Sequence, residues 1–324
     1  HRTRMLEYPA GMADDDPERD GYRVLTTADL GALRSDERDF AYDVFVGLSE
    51  HPKRLASRYF YDDVGSELFQ RIMELDAYYP TRCEREIFDA HKGDIVDIVA
   101  DRPIDVVDLG AGDGDKTLVL LEHLARRSID FRYVPVDISE GAMRTLVAKV
   151  RARLPSVNVS GLVCEYVEGV RWLGAQASER SRLVLFLGSN IGNFDRAHAR
   201  AYNDEEGVTA RFNLNLLTRI NRELAADFDV TKFRHFGTYD VFSGAMKSYL
   251  VSLEPQHVSI GALQHSFEFQ AWEPIHTEYS YKYLRSDVVG LARDTSFGIE
   301  AEFLDERKWF LSSLWRVDKA NGTR

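Results

Sequence analysis

The chain has 324 residues, 44% hydrophobic and 29% charged, an ordinary globular composition that excludes disorder over most of its length and suggests roughly two domains at about 150 residues each. A net charge of −12 argues against a basic nucleic-acid surface, and no stretch approaches the roughly 20 apolar residues that span a bilayer. The opening HRTRMLEYPAG has no apolar signal-peptide core and starts on His1, as a trimmed end would; Cys83 and Cys164 make no disulfide framework or metal box, so a cytoplasmic protein is expected.

Residues 1–24 include the polar run ADDDPERD and read as a mobile tail or loosely packed arm. From Thr27 the spacing of Ala28, Leu30, Leu33, Phe40, Val44 and Leu48 predicts helix. IDVVDLG (Ile104 to Gly110) is a β-branched run ending in glycine. AGDGDKT and the helically spaced LVLLEHLARR follow it, so the order is strand, glycine turn, helix. FRYVPVDIS is a second strand with Asp137 near its end, and a helix follows from about Gly141 to Leu154. NVSGLVCEY (Asn158 to Tyr166) is a third strand, and RLVLFLGSNIGN a fourth strand with its turn. This alternation predicts a parallel, doubly wound α/β sheet with ligands at the carboxyl ends of its strands. Beyond residue 201, AYNDEEGVTARFNLNLLTRINREL is helical in pattern, while VSIGALQHSFEF and PIHTEYSYKYL alternate as antiparallel strands, a second α+β unit.

The turn Asp108-Leu109-Gly110-Ala111-Gly112-Asp113-Gly114 lets a ligand approach the backbone closely. With Asp108, Asp113 and Asp115 it is a poor phosphate cradle. It suits a cationic, hydroxyl-bearing ligand such as S-adenosylmethionine, whose ribose could meet Asp137, 25 residues beyond Gly112. That acidity argues against a nicotinamide-dependent dehydrogenase. Glu165 and Tyr166, at the end of the third strand, could accept an adenine amino group and stack on its ring, or be surface charge beside a core tyrosine. Gly188-Ser189-Asn190-Ile191-Gly192-Asn193 alone reads as turn chemistry, although it follows the fourth strand, where a methyl-accepting atom should sit, and the amide of Asn193 can receive or donate a hydrogen bond without charge. Tyr61, Tyr78 and Tyr79 are by default core or surface residues. Glu278 and Ser280, two apart on a strand, share a face and could read a ring bearing N–H groups, or be a solvated strand face. No metal-ligand spacing and no GxSxG elbow is present.

Beyond these local signals, KRLASRYFYDDVGSELF, YYPTR, DLGAGDGDKT, YVPVDIS, FLGSNIGNF, AYNDEEGVTARFNLNLL, INRELAADFD and IHTEYSYKY together resemble the histidine-specific Nα-methyltransferases of ergothioneine biosynthesis, over roughly Pro52 to Val317. These trimethylate the α-amino group of L-histidine to hercynine. The resemblance implies a Rossmann-like class I methyltransferase sheet over residues 84–200 and 284–324. It implies a substrate-binding α+β domain over 36–83 and 201–283, with 1–35 as an arm. It implies S-adenosylmethionine at Gly110, Gly112, Lys116, Asp137, Glu165 and Tyr166. The amino acid would lie among Tyr61, Tyr78, Asn193 and Tyr202, with Glu278 and Ser280 on the imidazole, and Tyr61 and Asn193 nearest the chemistry. A monomer acting on a small amino acid, with no metal, is expected.

Two features depart from that family. Ser248 stands where a Met is usual, which would enlarge or wet the pocket and keeps tryptophan or another aromatic amine open as substrate. Only Phe194 to Ala201 separate Asn193 from Tyr202, too few for a parallel crossover of a dozen or more residues. A spatial break between Asn193 and Tyr202 is therefore expected; a core strand truly missing there would make a cofactor-binding module without catalysis a serious alternative.

Overall fold

The computed structural model describes residues 21–24, 36–176, 178–187 and 203–317. In chain order, strand β1 (Tyr22–Val24) precedes helix α1 (Asp36–Ser49), strand β2 (Lys53–Arg54), a 3-10 turn at Ser57–Phe60, and helices α2 (Asp63–Glu74) and α3 (Pro80–Val99). The alternating stretch is β3 (Ile104–Leu109), α4 (Asp115–Arg126), β4 (Phe131–Asp137), α5 (Glu140–Arg153), β5 (Asn158–Val159), β6 (Gly161–Val163), α6 (Tyr166–Ala175) and β7 (Ser181–Phe186). Then come α7 (Val208–Leu224), β8 (Phe233–Asp240), β9 (Ala245–Ser252), β10 (Gln256–Ile260), β11 (His265–Phe269), β12 (Pro274–Tyr281), α8 (Arg285–Asp294), β13 (Phe297–Leu304) and β14 (Leu311–Val317).

The predicted parallel sheet is present, in the order β1-β6-β4-β3-β7 with β5 beside β4. All six residues of β3 are buried, as in a strand covered on both faces. Ile104 and Val106 pack with Leu118, Leu121 and Leu146 on one side, and Val107 and Leu109 with Val134, Val136 and Leu173 on the other. The chain runs outward from β3 in both directions, through β4 to one side and to β7 on the other, which places the ligand crevice above the carboxyl end of β3.

Two local expectations change. Tyr22–Val24 lie not in a loose arm but in an edge strand parallel to β6, with the Tyr22 hydroxyl donating to Glu140 Oε1 at 2.9 Å. Three residues are too short a run to show a period. The third strand is interrupted at Ser160 and ends at Val163, and Tyr166 opens a helix instead of closing a strand. Glu165 takes the N-cap of α6, and its N–H donates to Glu168 Oε2 at 3.3 Å, which turns the chain there.

The second sheet has the order β2-β12-β9-β8, with β9 antiparallel to both neighbours. A bulge between His276 and Glu278 resets the register so that Glu278 opposes Ser248 and Ser280 opposes Met246, all on one face. That face joins a core built from α1 (Phe40, Val44, Leu48), α7 (Phe212, Leu216, Ile220) and the sheet (Met246, Leu250, Ile275).

β13 and β14 form a separate hairpin. β7 keeps a free edge among the described residues, and its Val184 is 50% exposed. A groove of about 580 Å3, lined by residues 181–187 and 311–317 among others, lies between β7 and β14. The expected break between Asn193 and Tyr202 lies outside the described residues. Among the described residues no helix is long and apolar enough to cross a membrane.

Phe212 of α7 is the hub that seats the segment before α2: its ring lies 4.7 Å from Phe60, 5.6 Å from Tyr61 and 5.8 Å from Phe69. Phe212→Ala is expected to cost about 3–5 kcal/mol, the range for deleting a buried aromatic ring. Thermal and denaturant unfolding of the variant against the parent checks this.

Candidate active site

The carboxyl end of β3 opens into a cavity of about 390 Å3, within the range for small-ligand sites. Gly110, Gly112 and Gly114 all have positive φ. At Gly114 a Cβ would meet Leu146 Cδ1 at 2.3 Å, so glycine is required both by conformation and by the approach of α5. At Gly112 nothing lies closer than Gly110 O at 4.0 Å, so here the turn leaves open space for a ligand.

Asp137 ends β4 beside this turn. Its Oδ2 accepts the Gly112 N–H and its Oδ1 the Ser139 N–H, both at 2.9 Å. Burial pushes its pKa up, and these backbone hydrogen bonds work against that shift. Asp108 is buried at the root of the turn. Its Oδ2 accepts from the Thr117 hydroxyl at 2.6 Å and the Tyr133 hydroxyl at 2.9 Å. Desolvation pushes it up to about 6, against the pull of those two hydrogen bonds. Lys116 lines the cavity with its ammonium bonded to the buried Glu84.

Glu165 and Tyr166 also line the cavity. Glu165 Oε1 accepts from Arg58 Nη1 at 2.7 Å; Arg58 comes from the 3-10 turn and also bonds Asp43. Tyr166 stands edge-on to Phe186 at 5.7 Å. Tyr61, Tyr78 and Glu278 close the opposite side. Tyr61 is braced edge-on by Phe69, and Tyr78 is almost fully buried. Glu278 is held above the usual carboxylate range by burial, which the charge of Lys282 opposes. Ser280 is 5% exposed and lies one step along the same face. Ser248, across from Glu278, is fully buried, and its hydroxyl finds no hydrogen-bond partner among the described residues.

The structure thus gathers Tyr61, Tyr78, Gly110, Gly112, Lys116, Asp137, Glu165, Tyr166 and Glu278 around one cavity. Ser248 and Ser280 stand behind Glu278 on its sheet face. Asn193 and Tyr202 lie outside the described residues. Tyr79 packs in the core against Trp309. The sequence reading missed Arg58, which stands inside the RYFYDD motif, because its partner Glu165 is 107 positions away. It also missed Lys282 and Asp43. Among the described residues no group of three or more His, Cys, Asp and Glu side chains could hold a metal ion.

Buried carboxylates at a glycine turn with open space above Gly112 fit a cationic nucleoside with ribose hydroxyls, and no phosphate. On this parallel sheet, such a site defines an S-adenosylmethionine-dependent methyltransferase. The chain belongs to the family of histidine-specific, S-adenosylmethionine-dependent methyltransferases, whose model matches residues 40–200 and 199–317. The division between the two matched stretches falls within the short linker noted in the sequence.

A histidine N-alpha-methyltransferase of Mycolicibacterium smegmatis is 33% identical over 297 residues, covering 82% of this chain and 91% of that one. Its namesake from Mycobacterium tuberculosis is 34% identical over 279 residues, covering 76% and 85%. A 4-dimethylallyltryptophan N-methyltransferase of Claviceps purpurea is 31% identical over 162 residues, covering 49% and 47%.

Asp137→Asn replaces a carboxylate oxygen with an amide that donates. Binding of S-adenosylhomocysteine, measured by calorimetry, is expected to weaken by about tenfold or more, as for loss of a charged hydrogen-bond acceptor.

Proposed function

We propose that this chain methylates the α-amino nitrogen of L-histidine three times, giving hercynine. One observation supports this above others: a desolvated Glu278, paired in register with Ser248 and followed on the same face by Ser280, lines the cavity that also contains the glycine turn. A ring entering there meets a carboxylate that accepts an N–H and a hydroxyl one step away. An imidazole offers a partner to each. An indole offers one N–H and no ring acceptor, so it would leave the Ser280 O–H without an acceptor, at the cost of a buried donor without a hydrogen bond. Ser248, fully buried behind Glu278, does not alter that arithmetic.

S-adenosylmethionine, when bound, supplies a methyl group on a sulfonium. The chain's residues position it: Asp137 for the ribose hydroxyls, Gly110 and Gly112 for close backbone approach, Glu165 and Tyr166 for the adenine, with Arg58 holding Glu165. Lys116, bonded to Glu84, fixes the start of α4 under the turn. Tyr61 and Tyr78 line the route between cofactor and acceptor, and Asn193 and Tyr202 complete the amino-acid site. Tyr61, braced by Phe69 and Phe212, and Asn193 orient the amine lone pair.

In each round a nitrogen–carbon bond forms as the carbon–sulfur bond breaks; the first two ammonium products release a proton to water before the next transfer, and the third is a quaternary ammonium with no proton to lose. An α-amino group with a pKa near ~8 has a neutral fraction at physiological pH, so no dedicated base is required. Holding nitrogen, carbon and sulfur in line converts a bimolecular encounter into an oriented one. Residues 84–200 with 284–324 form the cofactor part, 36–83 with 201–283 the acceptor part, and the chain works as a cytoplasmic monomer.

Glu278→Ala tests the acceptor assignment. Turnover of L-histidine, as kcat/KM, is expected to fall about 100-fold, the scale for losing a hydrogen bond to a charged group. Affinity for S-adenosylhomocysteine should stay within about threefold of the parent. Unchanged histidine turnover would remove histidine as the substrate.

A further inference from the structure

We infer that Lys282 is a positioning residue for acceptor recognition: its ammonium fixes the Ser280 hydroxyl as a hydrogen-bond donor toward the acceptor's ring. The inference rests on the proposed histidine reading and deepens it, since it says which form of the ring the site takes.

Lys282 Nζ lies 2.8 Å from Ser280 Oγ. An ammonium has three N–H bonds and no lone pair, so in this contact the serine oxygen can only accept. The proton of the Ser280 hydroxyl therefore points elsewhere, away from Lys282. Ser280 is 5% exposed and sits two residues beyond Glu278 on the face that borders the cavity. Glu278, which lines the cavity, offers an acceptor, and Ser280, behind it on the same face, would offer its O–H as a donor to a ring bound against Glu278. A neutral imidazole, with one N–H and one bare nitrogen, satisfies both. An imidazolium would set an N–H against the serine O–H, and an indole would leave that O–H with no ring partner.

The position of Lys282 is itself constrained. Its backbone N–H donates to Gly244 O at 2.8 Å, which ties the residue to the turn between β8 and β9. A half-buried carboxylate such as Glu278 is favoured by a compensating charge nearby. Burial lowers the lysine to about 8, against the opposing pull of the Glu278 charge.

Steady-state kinetics with L-histidine on the parent, K282M, K282R, S280A and the double variant S280A/K282M tests this. K282M is expected to raise KM for histidine by about tenfold, the scale of one charge-assisted hydrogen bond, with kcat within about threefold and S-adenosylhomocysteine affinity unchanged. K282R, which keeps a cationic donor, should recover part of the loss. In S280A the further change to K282M should cost no more than about threefold, because the lysine acts through the hydroxyl. An unchanged KM in K282M, or an equal loss in the parent and S280A backgrounds, would overturn the inference. If K282M fails to fold in a thermal scan, K282Q and K282R carry the same comparison. A parent enzyme that does not methylate histidine would instead overturn the substrate reading, so the two failures are distinct.

Discussion

The carboxylate of Asp137 ties the molecule's ligand-binding edge together. It accepts N–H groups from Gly112 on one side and Ser139 on the other. A desolvated carboxylate is costly unless it is hydrogen-bonded, so these two contacts fix the glycine turn after β3 against the start of α5. The turn can take this shape because its glycines adopt positive φ. The crevice above β3 follows from that junction.

The second half of the cavity is brought into place by packing. Phe212 lies against Phe60, Tyr61 and Phe69, so the core of the second sheet also sets where Tyr61 stands. Arg58, three residues earlier, links Asp43 of α1 to Glu165 at the opposite rim. The two rims of the cavity are thus joined by an ion-pair bridge as well as by apolar contact. One end of the cavity is lined by β12, where the bulge before Glu278 decides which side chains face it.

Much of this was legible in the sequence, for identifiable reasons. β3, β4 and the helices after them carry long, unambiguous periods, and the glycine turn between β3 and α4 has few other uses. The antiparallel character of β10, β11 and β12 showed as alternation. β1 was not legible because three residues carry no period, and the end of β6 was misplaced because Glu165 acts as a helix cap, which hydropathy does not register. Pairings of distant charges, Arg58 with Glu165 and Lys116 with Glu84, are set only when the elements come together. Glu278 and Ser280 could be placed on one face from their spacing, but their burial, and Lys282 behind them, needed the fold.

Mass spectrometry of the product formed from L-histidine and S-adenosylmethionine tests the central claim most directly: that a sulfonium donor on the acidic turn faces an amine held by its imidazole. The account requires a product three methyl groups heavier, all on the α-nitrogen, with the ring unmodified. Methylation of a ring nitrogen, or no product from protein that binds S-adenosylhomocysteine, would contradict it.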